Sequence, residues 1–255
     1  MLFATEPLVR WKWVGDHLDE IWQDLIEHIQ LTAIAVGIGF AISLVLAIVS
    51  IRYRWTYGPI GAFCAVLYAI PSLALFALLI PIVGLGVVPA EIALVGYTLL
   101  ILLRNMVAGF DGVPPEVREA ADGTGYEGWR RGLRVDLPLA LPAIIAGLRI
   151  ATVTTVGLVT VAALVGTGGL GALINDGLDR GDFPTPVVVG SVLSIALAIV
   201  LDVMFVLIER FATPWRRRQR PDTVINPDEP VGAAAAADVA GGELAGAGAG
   251  VASGG

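Results

Sequence analysis

Five apolar runs constrain this chain before anything else does. They cover residues 31–50, 60–81, 88–110, 141–165 and 187–208. Each reaches the roughly 20 residues that a helix needs to cross a bilayer. Backbone groups in lipid have no water to bond, so runs of this length are read as helices. The expected fold is an all-α polytopic membrane protein with five transmembrane helices. Composition agrees, because 56% of the residues are apolar and the mean hydropathy is +0.79. A soluble domain of this length has no place for that excess. Pro71 and Pro81 are expected to kink or end the second run. Small residues such as those of "GIGFA" at 37–41 and "AGL" at 146–148 let membrane helices approach closely.

Charge sets the topology. Arg52 and Arg54 follow the first run, Arg118, Arg130, Arg131 and Arg134 lie between the third and fourth, and Arg210, Arg216, Arg217, Arg218 and Arg220 follow the fifth. With five alternating helices these three groups share a side, and the other side holds only Arg10, Lys12 and Arg180. The positive-inside rule then places the N-terminus outside and the C-terminus in the cytoplasm.

Three parts follow from this. Residues 1–29 form an outer amphipathic segment in which Trp13, Leu18, Ile21, Trp22, Leu25 and Ile29 share one face as interfacial anchors. Its charge is acidic and no small-residue cleavage pattern follows it, so it is not read as a signal peptide. Residues 30–215 are the transmembrane part. Residues 216–255 are a cytoplasmic basic anchor, suited to anionic lipid, and an Ala/Gly-rich tail that cannot bury a core.

The same counts exclude several chemistries. Cys64 is the single cysteine and lies in an apolar run, so no disulfide forms within one chain. His17 and His28 lack partners at metal-ligand spacing. Lys12 is the single lysine, and it is not in a glycine-rich turn, so the chain has no P-loop. ATP-driven work would need a nucleotide held by another subunit. The "GTGGLG" stretch at 166–171 has dinucleotide-fingerprint spacing, but no strand precedes it, and it is read as an outer turn. No nucleic-acid footprint, cofactor motif or nucleophile–base constellation stands out.

The stretch "REAADGTGYEGWRRGLRVDLPLALP" at 118–142 falls in the loop between the third and fourth runs. Pro114 and Pro115 suit the first turn of a helix, where a missing N–H costs little. Glu116 and Glu119 favour its N-terminal half, and Gly123 and Gly125 are placed to end it. A short helix of about eight residues is expected, then a second short piece, with Pro138 and Pro142 opening the fourth span.

This loop resembles one shared by permease subunits of binding-protein-dependent ABC importers. Their pattern is E-A-A, three residues, G, nine residues, an aliphatic residue, one residue, then L-P. Glu119, Ala120, Ala121, Gly125, Val135, Leu137 and Pro138 fill it at that spacing. In the family the loop is the coupling helix, docked in a groove of the ATPase. The resemblance implies that Glu119 makes polar contact with the ATPase, Ala120 and Ala121 permit close approach, and Gly125 lets the chain turn. It also implies the type I importer permease fold, two ATP-binding subunits, an extracytoplasmic binding protein, and a second permease subunit, the same or homologous. The stretches "LPLALPAIIAGLRIATV", "AALVGTGGLGALI" and "YAIPSLALFALL" resemble the osmoprotectant branch, which imports glycine betaine, carnitine or choline. A permease for another small solute such as an amino acid is the alternative.

Two polar features of the spans stay open. Thr152, Thr154, Thr155 and Thr160 either line a pathway or bond back to their own helix. Arg104, Arg149 and Asp202 lie roughly 9–12 Å from the cytoplasmic ends of their helices at 1.5 Å per residue. Unpaired charges there are costly, so Asp202 is expected to pair with Arg149 or Arg104. A proton-coupled secondary transporter using Asp202 is a further alternative, though no inverted repeat supports it.

Overall fold

The computed structural model describes residues 8–126, 128–181 and 183–215. The basic run at 216–220 and the tail beyond it lie outside the described residues. Every regular element among the described residues is helical. The first is α1 (Trp11–Asp16), followed by α2 (Leu18–Arg52), α3 (Tyr57–Ala69), α4 (Ser72–Val83) and α5 (Val87–Asp111). The remainder are α6 (Pro115–Gly123), α7 (Trp129–Arg131), α8 (Leu137–Ala162), α9 (Leu170–Asp179) and α10 (Thr185–Ala212).

Helix α2 differs from the sequence reading. It has 35 residues and passes through residue 30 without a break. Neither glycine nor proline occurs between Leu18 and Val36, so the change from polar to apolar sequence leaves the backbone ladder intact. The expected single anchoring face is also divided. Ile21 is buried with Trp13 and Leu25 against Leu170, Leu173 and Leu197, whereas Leu18, Trp22 and Ile29 are exposed. Residues 18 and 22 are one turn apart on one face, and 21 and 25 are one turn apart on the next.

The second apolar run is a broken one. Ile70 and Pro71 are both extended, and α3 meets α4 at 96°. Proline drives the residue before it out of the helical region, which accounts for Ile70. The buried Tyr97 hydroxyl donates to the freed Ile70 carbonyl at 2.6 Å. Pro81 does not end α4, which continues to Val83. Cys64 of α3 packs with Leu102, Leu103 and Met106, while Leu75 and Phe76 of α4 pack with Ala90, Ala93 and Leu94. The bent pair therefore follows α5 from one end to the other. Four helices are long and apolar enough to cross a bilayer, and the bent pair brings the candidate spans to five if it counts as one.

Helix α5 is central, packed against α2, α3, α4 and α8. Its neighbours come close because small residues face it. A Cβ on Gly39 would collide with Thr98 Oγ1, and one on Gly109 would lie 2.9 Å from the Ala140 carbonyl oxygen. At one end of the bundle Arg54 of the α2–α3 turn pairs with Asp111 of α5 at 2.8 Å. At the other, Thr185 Oγ1 accepts from the Arg10 backbone N–H, and Glu27 accepts from that of Gly169.

Candidate functional site

The loop between α5 and α8 folds on local rules. Pro115 occupies the first turn of α6, after an extended Pro114. The other end closes with two bonds, Tyr126 N–H to Ala121 O and Gly125 N–H to Asp122 O, both 3.0 Å. Those are the six-to-one and five-to-two bonds of a Schellman cap, whose terminating residue must be left-handed. Gly125 supplies that conformation with φ of +86°. Here the glycine of the E-A-A-x-x-x-G pattern has a backbone reason to be glycine.

The two alanines separate. Glu119 and Ala120 are exposed on the open face of α6, whereas Ala121 is buried at 8% exposure. Ala120 is open at the surface of α6, and Ala121 packs on its own chain. Val135, Leu137 and Pro138 serve the other end of the loop. Residues Gly132–Asp136 form a π-helical turn leading from α7 into α8. Pro138 has no N–H to give to the carbonyl one turn back, which favours such a widened turn. Leu137 packs against the cluster that holds Met106 and Val107, and Val135 is half-buried.

Charged side chains bind this loop together. Buried Asp136 lies between Arg118 Nε at 3.5 Å and Arg131 Nε at 3.6 Å. Arg131 Nη1 also donates to Asp122 Oδ1 at 2.9 Å, and Arg118 Nη2 donates to the Phe110 carbonyl at the end of α5. An open groove of about 370 Å³ runs beside them, lined by residues including Arg54, Asp111, Arg118, Arg131 and Asp136.

Within the spans, Arg149 Nε and Nη2 donate to Asp202 Oδ1 and Oδ2, each at 3.0 Å. This fork joins α8 to α10, and Glu209 lies 4.0 Å from Arg149. Arg104 is exposed. Ala146, Ile150, Val153 and Thr154 line a groove of about 370 Å³ beside the Arg149–Asp202 pair. Two threonines bond back to their helix, Thr155 to Ala151 O at 2.7 Å and Thr160 to Val156 O at 3.2 Å. Thr152 is buried, and Thr154 borders the charged groove.

The 166–171 stretch is a glycine turn, with Gly166, Gly168 and Gly169 all at positive φ. The half-buried Glu27 carboxylate accepts from the Gly169 N–H at 3.1 Å, where α9 begins. The next residue, buried His28, donates through Nε2 to the Val156 carbonyl at 3.1 Å. Sequence reasoning missed Asp136, Glu27, His28 and Tyr97. Asp136 carried one signal, as a lone acid after several arginines in "RRGLRVDLP". The others had none, because their partners are between 27 and 142 residues away.

Known proteins resemble this chain in both sequence and fold. The osmoprotectant import permease protein OsmW of Salmonella typhimurium is 37% identical over 193 residues, which is 74% of this chain and 89% of that protein. The glycine betaine/carnitine/choline transport system permease protein OpuCB of Bacillus subtilis is 37% identical over 188 residues, 74% of this chain and 86% of that one. Among solved structures, an inward-facing form of the MetNI methionine ABC transporter superposes with a TM-score of 0.68 at 25% identity, over 76% of this chain and 96% of that chain. An amino acid ABC transporter has the same TM-score, 0.68, at 18% identity, over 79% and 98% of the two chains. The fold is that of a type I ABC importer permease. Residues 33–213 match the family described as binding-protein-dependent transport system inner membrane component, and this multi-pass membrane chain belongs to that family.

Proposed function

We propose that this chain forms the pathway of an ATP-driven importer of quaternary ammonium osmoprotectants, such as glycine betaine, choline or carnitine. It receives its driving force through α6 from a separate pair of ATP-binding subunits. The observation that carries this reading is the α6 surface. Glu119 and Ala120 are exposed on a short helix that Gly125 closes with a left-handed cap. The helix lies at the end of the bundle that holds Arg54, Arg118 and Arg131. The positive-inside rule makes that end cytoplasmic, with the N-terminus outside. An extracytoplasmic binding protein then delivers cargo at the opposite end, where α9 and the glycine turn lie. A second permease subunit completes the pathway, and access alternates between the two faces as the ATPases close. The substrate class rests on the named osmoprotectant permeases at 37% identity, against 25% for the methionine system.

The proton-coupled alternative is disfavoured by Asp202, whose two carboxylate oxygens are both engaged by Arg149. The test is purification of the permease with its ATPase from cells, comparing wild type with Glu119→Trp and Gly125→Val. The first places bulk on the open face. The second forces a β-branched residue to φ of +86°, a strain of about 1–3 kcal/mol. Loss of bound ATPase and of glycine betaine, choline or carnitine uptake is expected for both. Unchanged binding and uptake would refute the docking role.

A further inference from the structure

Helix α6 has little to hold it by packing. It has nine residues, and Ala121 is the one among them that is buried. A helix that receives a push must nevertheless pass it on to the spans, and a single methyl group cannot resist displacement. The polar contacts close a ring instead. Arg118 of α6 reaches both the Phe110 carbonyl that ends α5 and Asp136 at the start of α8. Asp136 also faces Arg131 of α7, and Arg131 returns to Asp122 of α6. Arg54 and Asp111 extend the same end of the bundle to the α2–α3 turn.

We propose that Asp136 is a positioning residue: its buried carboxylate, between Arg118 and Arg131, ties α6 to the first turn of α8, so that displacement of α6 moves α8 and α5 together. The inference rests on the reading of α6 as the ATPase-docking helix. It adds the element by which force leaves that helix. Asp136 suits the task because the next residue, Leu137, is seated against the membrane core and Pro138 stiffens the turn that follows. The arginine Nε atoms lie 3.5 and 3.6 Å from the carboxylate, and Arg118 Nε, Arg131 Nε and Asp136 Oδ1 have no hydrogen-bond partner. Charge-assisted bonds of ideal length are about 2.7–2.9 Å, so the tie is held by charge and proximity rather than by tight hydrogen bonds.

The test uses the full permease, assembled with its ATPase and binding protein in proteoliposomes. Cargo is a mixture of glycine betaine, choline and carnitine. Asp136→Asn keeps the shape and removes the charge; Asp136→Glu keeps the charge and adds reach. Three quantities are read: ATPase retained by the permease, ATP hydrolysis with and without loaded binding protein, and uptake. Asp136→Asn is expected to retain the ATPase and its unstimulated hydrolysis. Stimulation by loaded binding protein and uptake should fall roughly tenfold or more, the scale of an ordinary coupling free energy. Asp136→Glu should recover most of both, and Arg118→Gln should behave like Asp136→Asn.

Full stimulation in Asp136→Asn would overturn the proposal. So would equal losses in Asp136→Asn and Asp136→Glu, which would mean packing rather than charge. Loss of bound ATPase in Asp136→Asn would place the residue in docking or folding instead. ATPase retained by Gly125→Val would remove the docking reading itself, and this inference with it.

Discussion

Replacing Asp202 by asparagine and Arg149 by glutamine, singly and together, measures the ion pair that joins α8 to α10. Two parallel N–H···O contacts of 3.0 Å join the side chains. Unit charges about 4 Å apart attract by about 4 kcal/mol at an effective dielectric constant near 20. Arg149 and Asp202 are 31% and 37% exposed at the protein surface, and the desolvation of two charges together with the entropy of fixing their side chains cancels much of that attraction. A net coupling of about 1–2 kcal/mol remains, within the range seen for contacting pairs. Each single variant also strands a charge at membrane depth, where an unpaired arginine or aspartate costs about 2.5–3.5 kcal/mol at the helix centre and less toward its ends. Glu209, 4.0 Å from Arg149, makes the two singles unequal. It attracts an orphaned Arg149 but repels an orphaned Asp202, so Arg149→Gln is expected to be the more damaging. The assay is denaturant unfolding of the detergent-solubilised permease, followed by tryptophan fluorescence. The double variant should be destabilised by less than the sum of the singles, by about 1–2 kcal/mol. Additivity within about 0.5 kcal/mol would refute the pairing argument.

Tyr97→Phe removes the donor to Ile70 at the α3–α4 break. The carbonyl left unpaired should cost about 1–3 kcal/mol, read by the same unfolding assay, and a change below a few tenths would contradict the account of the bend. Glu27→Ala removes the acceptor at the start of α9. A loss of about 0.5–2 kcal/mol, typical of a helix cap, is expected. Faster amide exchange at Gly169 and Leu170 alone should accompany it, and unchanged exchange there would remove the cap.

What could be read from sequence was local. The start and end of α6 are set by Pro115 and Gly125 through contacts no more than six residues long, and both positions were legible. Pro71 announced a break, but its 96° angle and the Tyr97 hydroxyl, 27 residues away, that satisfies the freed Ile70 carbonyl were not legible. The boundary expected near residue 30 rested on a change of polarity. Hydrogen bonding inside a helix does not register such a change, so α2 continues through it. Depth alone made Arg149, Arg104 and Asp202 candidates for pairing. Which arginine Asp202 meets depends on how α8 crosses α10, and that information lies in packing. The motif residues likewise carried no sign of which way each would face, so Ala121 read as an equal of Ala120.

The central claim is that the open face of α6 lies against an ATPase, and site-directed cross-linking tests it most directly. Cys64 is the only cysteine in the chain and is fully buried, so Cys64→Ala provides a background without thiols. Single cysteines at positions 119, 120 and 121 are then paired with cysteines along the groove of the ATPase subunit. Cross-links are predicted at 119 and 120, with little at 121, whose side chain points into its own chain. Cross-linking at none of the three positions in a complex that still transports would contradict the claim.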